Sequence, residues 1–416
     1  MPMTHTVLTF ISRVKPEEAG DLRELLQQIE AAPATALVPF GQLKSLHFAS
    51  FVLHEPTKEE EERKYGRRLV FENNFDGTLD RFLDDLYDKA GPGLHQIYRH
   101  CEDYSITNAG DRQGMQAYLK SHVVKPNAYH IGNTGRSAPR IFQEQELRDA
   151  LELRADALVR DGKPTSPEEL FDSLKKFVDT RPQFSPLPDV GPRQTWLQRF
   201  LAWANLVLQG LLALALIILL LPLVIILALV LIHKEKTDSV KSGAADNENI
   251  RKLVESEDHT HSVQNHMASI TIVKSGWLRR LALWLVLRLV NLLARVFSTH
   301  GTLSGIPSIH FAHWSMIDGG QRLLFLSNFD GSWENYLDDF IDKAHTGLTA
   351  VWSNTVDFPR TQYLVQGGAT DGPRFKAVAR DSQTVTNAWY SAYRDLPMQP
   401  DLRGPRPDPQ AWLHGL

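Results

Sequence analysis

Apolar and polar positions along the chain form short blocks, and the blocks come in the same order twice. In the first set, residues 6–12 (TVLTFIS) read as a strand and residues 16–31 as an amphipathic helix opening on Pro16. Residues 46–53 and 68–73 read as two strands of a hairpin. Residues 79–90 read as a helix stopped by Gly91 and Pro92, and 94–101 as a short strand. The second set gives a strand at 269–273, a helix at 277–297, strands at 308–317 and 322–327, a helix at 333–344 and a strand at 348–354. The order in each set is βαββαβ, the ferredoxin-like unit.

Residue identities follow the same repeat. Asn74-Phe75-Asp76-Gly77 returns as Asn328-Phe329-Asp330-Gly331, and Leu83-Asp84-Asp85 as Leu337-Asp338-Asp339. Leu46-His47-Phe48-Ala49 matches Ile309-His310-Phe311-Ala312. The first copy carries a charged stretch at 57–66 (TKEEEERKYG) where the second has Asp318-Gly319-Gly320, which predicts a longer hairpin tip. Each such sheet leaves one face bare, so the fold class expected is α+β, with two tandem ferredoxin-like repeats packed sheet to sheet as an α+β barrel. This arrangement resembles the dimeric α/β-barrel superfamily. In carrying two ferredoxin-like halves in one chain it is similar to the dye-decolorizing peroxidases. The resemblance covers roughly residues 5–105 and 265–360 and is one of fold.

Between the repeats the pattern changes. Residues 201–232 contain no charged side chain, well past the ~18 apolar residues that suggest a membrane span. The run is expected to be a membrane segment. It is either bent at Pro222 into a hairpin or in-plane insert, or a straight span that would put the two repeats on opposite sides of a bilayer. The helix at 277–297 (GWLRRLALWLVLRLVNLLARVF with its preceding Gly276) is apolar apart from a stripe of Arg280, Arg288, Asn291 and Arg295. It is expected to lie at a membrane interface. The expected division is 1–110, repeat 1; 111–180, its extension; 181–200, a Pro-rich linker; and 201–232, the membrane segment. A polar loop at 233–265, repeat 2 at 266–358 and a C-terminal extension and tail at 359–416 complete it.

Composition narrows the partners. The formal charge of −4 offers no basic field for nucleic acid. The single cysteine, Cys101, excludes an internal disulfide framework and favours a reducing compartment. The expected setting is a membrane with the soluble parts on the cytoplasmic face. The expected partners are a lipid bilayer, a lipophilic small molecule and, as a homo-oligomer, further copies of the chain.

Two residue pairs carry the candidate chemistry. Asp76 and Asp330 follow a strand and precede Gly, a turn signature, with Thr78 and Ser332 placed to cap the next helix. The resemblance adds a second role. The peroxidases' GxxDG motif holds an acid–base aspartate above haem, and Asp330 occupies that position with Asp76 as its twin. The first glycine of the motif is replaced by Asn73 and by Ser327. Haem is the cofactor the resemblance implies. His47 and His310, at one register in both copies, read as hydrogen-bonded strand residues or as cofactor ligands inside the barrel. His313 should face away from His310, because odd spacing in a strand reverses the face. The stripes Asp80, Asp84, Asp88 and Glu334, Asp338, Asp342 read as solvated helix faces. His259 and His261 lie in the polar loop, and no P-loop, GxSxG, HExxH or Rossmann glycine motif occurs. The function expected is binding or transformation of a lipophilic molecule by a membrane-associated barrel, as a peroxidase-like oxidoreductase. The alternative is a non-enzymatic binding or scaffold protein.

Overall fold

A computed structural model describes residues 5–31, 37–162, 166–184, 195–197, 221–238, 240, 247–258, 264–297, 302–394 and 396, with scattered positions between 200 and 211. The first half contains β1 (His5–Arg13), α1 (Ala19–Ala31), β2 (Leu46–His54), α2 (Lys58–Glu62), β3 (Arg68–Asp76), α3 (Leu79–Tyr98) and α4 (Arg112–Ser121). It ends with β4 (Val123–Val124), β5 (Ala128–Ile131), α5 (Ala138–Arg160) and α6 (Pro167–Asp179). Then come α7 (Leu221–Glu235) and α8 (Asn247–Asp258), followed by β6 (Gln264–Ile272), α9 (Trp277–Phe297), β7 (Ile309–Ile317) and β8 (Arg322–Asp330). The chain continues with α10 (Trp333–Trp352), β9 (Thr361–Gln362), β10 (Gln366–Gly367), α11 (Gly372–Ser382), β11 (Gln383–Thr384) and β12 (Ala388–Ser391).

The main strands form two five-stranded antiparallel sheets, ordered β12-β2-β3-β1-β4 and β11-β6-β8-β7-β5. Read outward from the short strand, each sheet has the same order: fourth strand, first, third, second, then a guest. The guest strand comes from the other half. β12 lies against β2, and β5 lies against β7. Each exchange is fixed by one short element. Asn387 donates its amide N–H to the Phe51 carbonyl and accepts the Leu53 amide on its side-chain oxygen. Asn127 does the same with the Trp314 carbonyl and the Met316 amide. Edge strands with unpaired backbone invite aggregation, and here each half covers the other's edge.

Strand alternation sends one face of each sheet to its own helices and the other into a seam between the sheets. Leu8, Phe10, Phe51 and Phe71 pack under α1 and α3, whereas Trp314, Phe325 and Phe329 pack under α9 and α10. Val52 and Val70 of one sheet meet Ala268, Ile270 and Leu324 of the other across the seam. The two sheets remain separate hydrogen-bonded ladders rather than one closed barrel.

Several expectations change. The helix expected to stop at Gly91-Pro92 runs on to Tyr98, and its counterpart runs to Trp352, so no strand forms at 94–101 or 348–354. The buried positions Leu83, Leu86, Ala90, Leu94 and Ile97 keep helical spacing across the proline, and that burial outweighs the break signal. Gly93 has no side chain because the Leu37 backbone occupies the place a Cβ would take. The fourth strand of each repeat comes later, as β4 and β11. The charged hairpin tip forms a one-turn helix, α2, with a complete capping box between Thr57 and Glu60. Glu60 turns inward and clasps the other half. Its carboxylate lies 3.0 Å from His54 Nε2 and 2.8 Å from the fully buried Arg322 guanidinium.

The membrane segment is corrected. Among the described residues no helix is long and apolar enough to cross a membrane. Residues 212–220 of the expected run lie outside the described residues. After them the described helix is α7, Leu221–Glu235. The end of α7 is docked on the second half. Glu235 accepts from the Thr361 hydroxyl and the Leu364 amide, and Asp238 pairs with Lys274 and Arg279 at 2.7 Å. α9 buries Leu283 and Leu287 in the second core and exposes Trp277, Leu285 and Leu289 on its other side. The polar loop at 233–265 contains α8. His259 and His261 lie outside the described residues.

Candidate functional site

The seam holds an unusual amount of buried polar chemistry, and a backbone irregularity puts it there. Register slips between Leu46 and Phe48 in β2, and between Ile309 and Phe311 in β7. His47 and His310 are the extra residues of these two bulges. Each therefore points into the seam beside the aromatic residue that follows it, which a regular strand would forbid. The same bulge overturns the expectation that His310 and His313 face apart, since both are buried in the seam.

Each bulged histidine meets the predicted aspartate of its own half. His47 Nε2 is 3.0 Å from Asp76 Oδ1, and His310 Nε2 is 2.6 Å from Asp330 Oδ1. The four predicted site residues thus form two equivalent pairs at one end of the seam, packed together through Phe48, Phe311 and Tyr393. The guest strands finish there. The Ala392 amide donates to the His47 carbonyl, and the Gly132 amide donates to the His310 carbonyl. The turn role of the NFDG segments holds as well. Gly77 and Gly331 take positive φ, and the Thr78 and Ser332 hydroxyls accept from the first turns of α3 and α10.

The pairs differ in what surrounds them. Asp76 accepts from His47, from the Ala138 amide at 2.9 Å, and has His5 Nδ1 at 2.9 Å. Burial raises its carboxyl, but these donors outweigh burial and hold it far below the usual carboxylate range. His47 Nδ1 lies 3.0 Å from the Tyr393 hydroxyl, which also receives the Asn133 amide at 3.0 Å. Burial lowers the His47 imidazole and raises the Tyr393 phenol, so both are neutral near pH 7. In the second half Gln264 stands where His5 stands in the first, and His310 Nδ1 is buried without a partner.

A second polar group, which the sequence reading missed, lies in the middle of the seam. Glu72 has no exposed surface. Its carboxylate is 2.9 Å from His266 Nε2 and accepts from Ser50, Asn74 and Asn328 at 3.0–3.1 Å. His313 Nδ1 lies 3.7 Å away. Burial pushes the Glu72 carboxyl up, but the charge and hydrogen bond of His266, with His313 and Asn74, bring it down to about 2. His266 Nδ1 is 2.8 Å from the Thr386 hydroxyl. His266 and Thr386 also line a cleft of about 250 Å³, together with Gln27, Glu30, Asn265 and Asn387. A glutamate directly after the apolar Leu69-Val70-Phe71 of its strand (Arg68–Asp76, RLVFENNFD) was the available signal. It became informative only once Leu326 was seen at the same place in β8. A smaller apolar cavity of about 30 Å³ lies under α10, between Phe325, Tyr336, Phe340 and Phe375.

Haem does not fit the predicted histidines. Both ring nitrogens of His47 face protein partners, Asp76 and Tyr393. The open nitrogen of His310 is enclosed by the rings of Phe48 and Tyr393, centred 5.1 and 5.8 Å away, in a packed cluster with Phe311 and Trp389. The acidic helix stripes are exposed, and they bind cations of the following helix: Asp84 and Asp88 with Arg112, and Asp338 with Lys376. Cys101 is buried, and burial pushes its thiol up to about 12. Comparison with known families, with characterised proteins and with solved structures finds no match.

Proposed function

We propose that the chain is an enzyme that binds a small polar molecule in the cleft over His266 and catalyses proton transfer on it. The observation that carries this reading is the position of one histidine. His266 lines the cleft of about 250 Å³ and also sets Nε2 2.9 Å from a completely buried carboxylate. Glu72, held ionised, accepts the Nε2 proton and so fixes the ring and its tautomer. That leaves Nδ1 to take a proton from, or return one to, the Thr386 hydroxyl at the cleft wall. Carboxylate, imidazole and hydroxyl in sequence are the arrangement general acid–base catalysis requires.

The cleft walls favour a hydrogen-bonding ligand, because Gln27, Asn265, Thr386 and Asn387 face it. A lipophilic substrate finds less support, since the apolar cavity under α10 has room for little more than water. The test is a thermal-shift screen of small polar metabolites on the whole chain, followed by turnover assays on those that bind. At least one compound should raise the unfolding midpoint and be consumed. His266→Gln should bind it and turn it over about 100-fold or more slowly. Equal turnover by His266→Gln would remove His266 from the chemistry, and a screen without any binder would end the proposal.

A further inference from the structure

The geometry points to a second site, independent of the cleft. We propose that His5, His47 and Asp76 bind a divalent transition-metal ion of the zinc class. Their ligand atoms all lie within 4.8 Å of one another. His5 Nδ1 and His47 Nε2 approach the same oxygen, Asp76 Oδ1, at 2.9 and 3.0 Å. Two ligands held 2.0–2.1 Å from a tetrahedral ion stand about 3.3 Å apart, so each nitrogen needs to part from the Asp76 oxygen by only a few tenths of an ångström, and the two nitrogens, within 4.8 Å of each other, need to settle at the same spacing.

Direction supports distance. His5 Nδ1 is buried and close to the carboxylate, yet it makes no well-aligned hydrogen bond there. Two imidazoles and one carboxylate are a donor set common to zinc and to other first-row dications, with a position left for solvent or ligand. The outer contacts suit the same role. Asp76 Oδ2 is held by the Ala138 amide, and His47 Nδ1 by the Tyr393 hydroxyl. On binding, the His47 proton moves to Nδ1 and is donated to the Tyr393 oxygen. The His5 proton moves to Nε2, so the Gly135 amide, which donates to that nitrogen at 3.1 Å, must turn away.

The duplicated architecture supplies an internal control. Asp330 and His310 repeat the pair, but Gln264 replaces His5 opposite the aspartate. One half therefore holds three ligands and the other two. The experiment uses the full chain, stripped with chelator and titrated with zinc by calorimetry and with cobalt(II) by visible absorption. One equivalent should bind, with cobalt bands of a four-coordinate site. His5→Gln, which installs the residue the fold already accepts in the other half, should abolish that equivalent with the unfolding midpoint of the metal-free protein unchanged. X-ray absorption of the bound zinc in the unaltered chain should show two imidazoles and oxygen. Absence of binding, undiminished binding by His5→Gln, or a spectrum lacking two imidazoles would each overturn the assignment.

Discussion

His313 offers the sharpest test of how the seam is built. Its ring has no exposed surface, with Nε2 3.1 Å from the Thr9 hydroxyl and Nδ1 3.7 Å from Glu72. Burial lowers its imidazole from the ordinary 6.5 to about 4, against the upward pull of Glu72 and with a further lowering from His266. The unfolded chain thus takes up a proton near pH 6.5 that the folded chain refuses until about pH 4. Stability contributed by the neutral ring is present above pH 6.5 and lost as pH falls through that window. With those two values the loss between pH 7 and pH 5 is about 2 kcal/mol. Glu72 adds nothing over this range. Its depressed carboxyl contributes stability that is present above pH 4.5 and lost only as pH falls toward 2. Guanidinium denaturation followed by tryptophan fluorescence, on wild type and His313→Gln at pH 7 and pH 5, measures the effect. The stability difference between the two proteins should shift by about 2 kcal/mol in the variant's favour at the lower pH. Parallel pH dependence would show that His313 is protonated in place, and that the seam is wetter or more anionic than the burial and contacts of this ring imply.

Two other perturbations address the contacts between halves. Glu60→Ala removes the carboxylate shared by His54 and buried Arg322, leaving Arg322 the Asp318 carboxylate at 2.6 Å and the face of the Tyr65 ring. Denaturant unfolding should show a loss of about 3 kcal/mol, and a change below about 0.5 kcal/mol would mean that α2 does not clasp the second half. Tyr393→Phe deprives His47 Nδ1 and the Asn133 amide of their common partner. A loss of about 1–3 kcal/mol is expected, and an unchanged midpoint would show that this hydroxyl is not the group closing the His47–Asp76 pair.

The repeat, the hairpins and the NFDG turns were legible because each rests on local chemistry: apolar alternation, Gly at positive φ and a hydroxyl cap. The His–Asp pairing was half legible. Both residue types and their equivalence were visible, but their contact depends on a bulge that a run such as Leu46-His47-Phe48 does not announce. A strand in each extension, 117–154 and 362–393, was legible, but its place and its exchange between the halves were not. Asn127-Ala128-Tyr129 and Asn387-Ala388-Trp389 are too short to mark its place, and their partners lie in the opposite half. Glu60 read as one charge in a solvated tip, since nothing in TKEEEERKYG tells which glutamate will meet Arg322. The apolar run at 201–232 predicted a membrane segment from composition alone, whereas no helix among the described residues is long and apolar enough to cross a membrane. The polar end of α7 is tied to Thr361, Leu364, Lys274 and Arg279.

The two halves separate what the fold requires from what it carries. A residue needed to build the unit should appear in both copies. That holds for His47 and His310, Asp76 and Asp330, Arg68 and Arg322, and the strand-fixing Asn127 and Asn387. Several seam positions break the rule, among them His5 against Gln264, Val7 against His266, Ser50 against His313, Glu72 against Leu326, and Tyr393 against Asn133. The unit itself does not require these residues, since its other copy is built with a different one at the same place. Together they concentrate ionisable groups: one arm gathers His5 and Tyr393 around the His47–Asp76 pair, and the other sets His313 and His266 against Glu72. Burying a carboxylate where leucine serves in the twin strand costs stability unless every lone pair is met, and Glu72 is met by four side chains. Selection for folding alone would favour the leucine solution in both strands. The charge in one strand only lies beside the described cleft that reaches a seam histidine, which is why the proposed proton transfer is placed at His266 and Glu72 and not at their counterparts Val7 and Leu326.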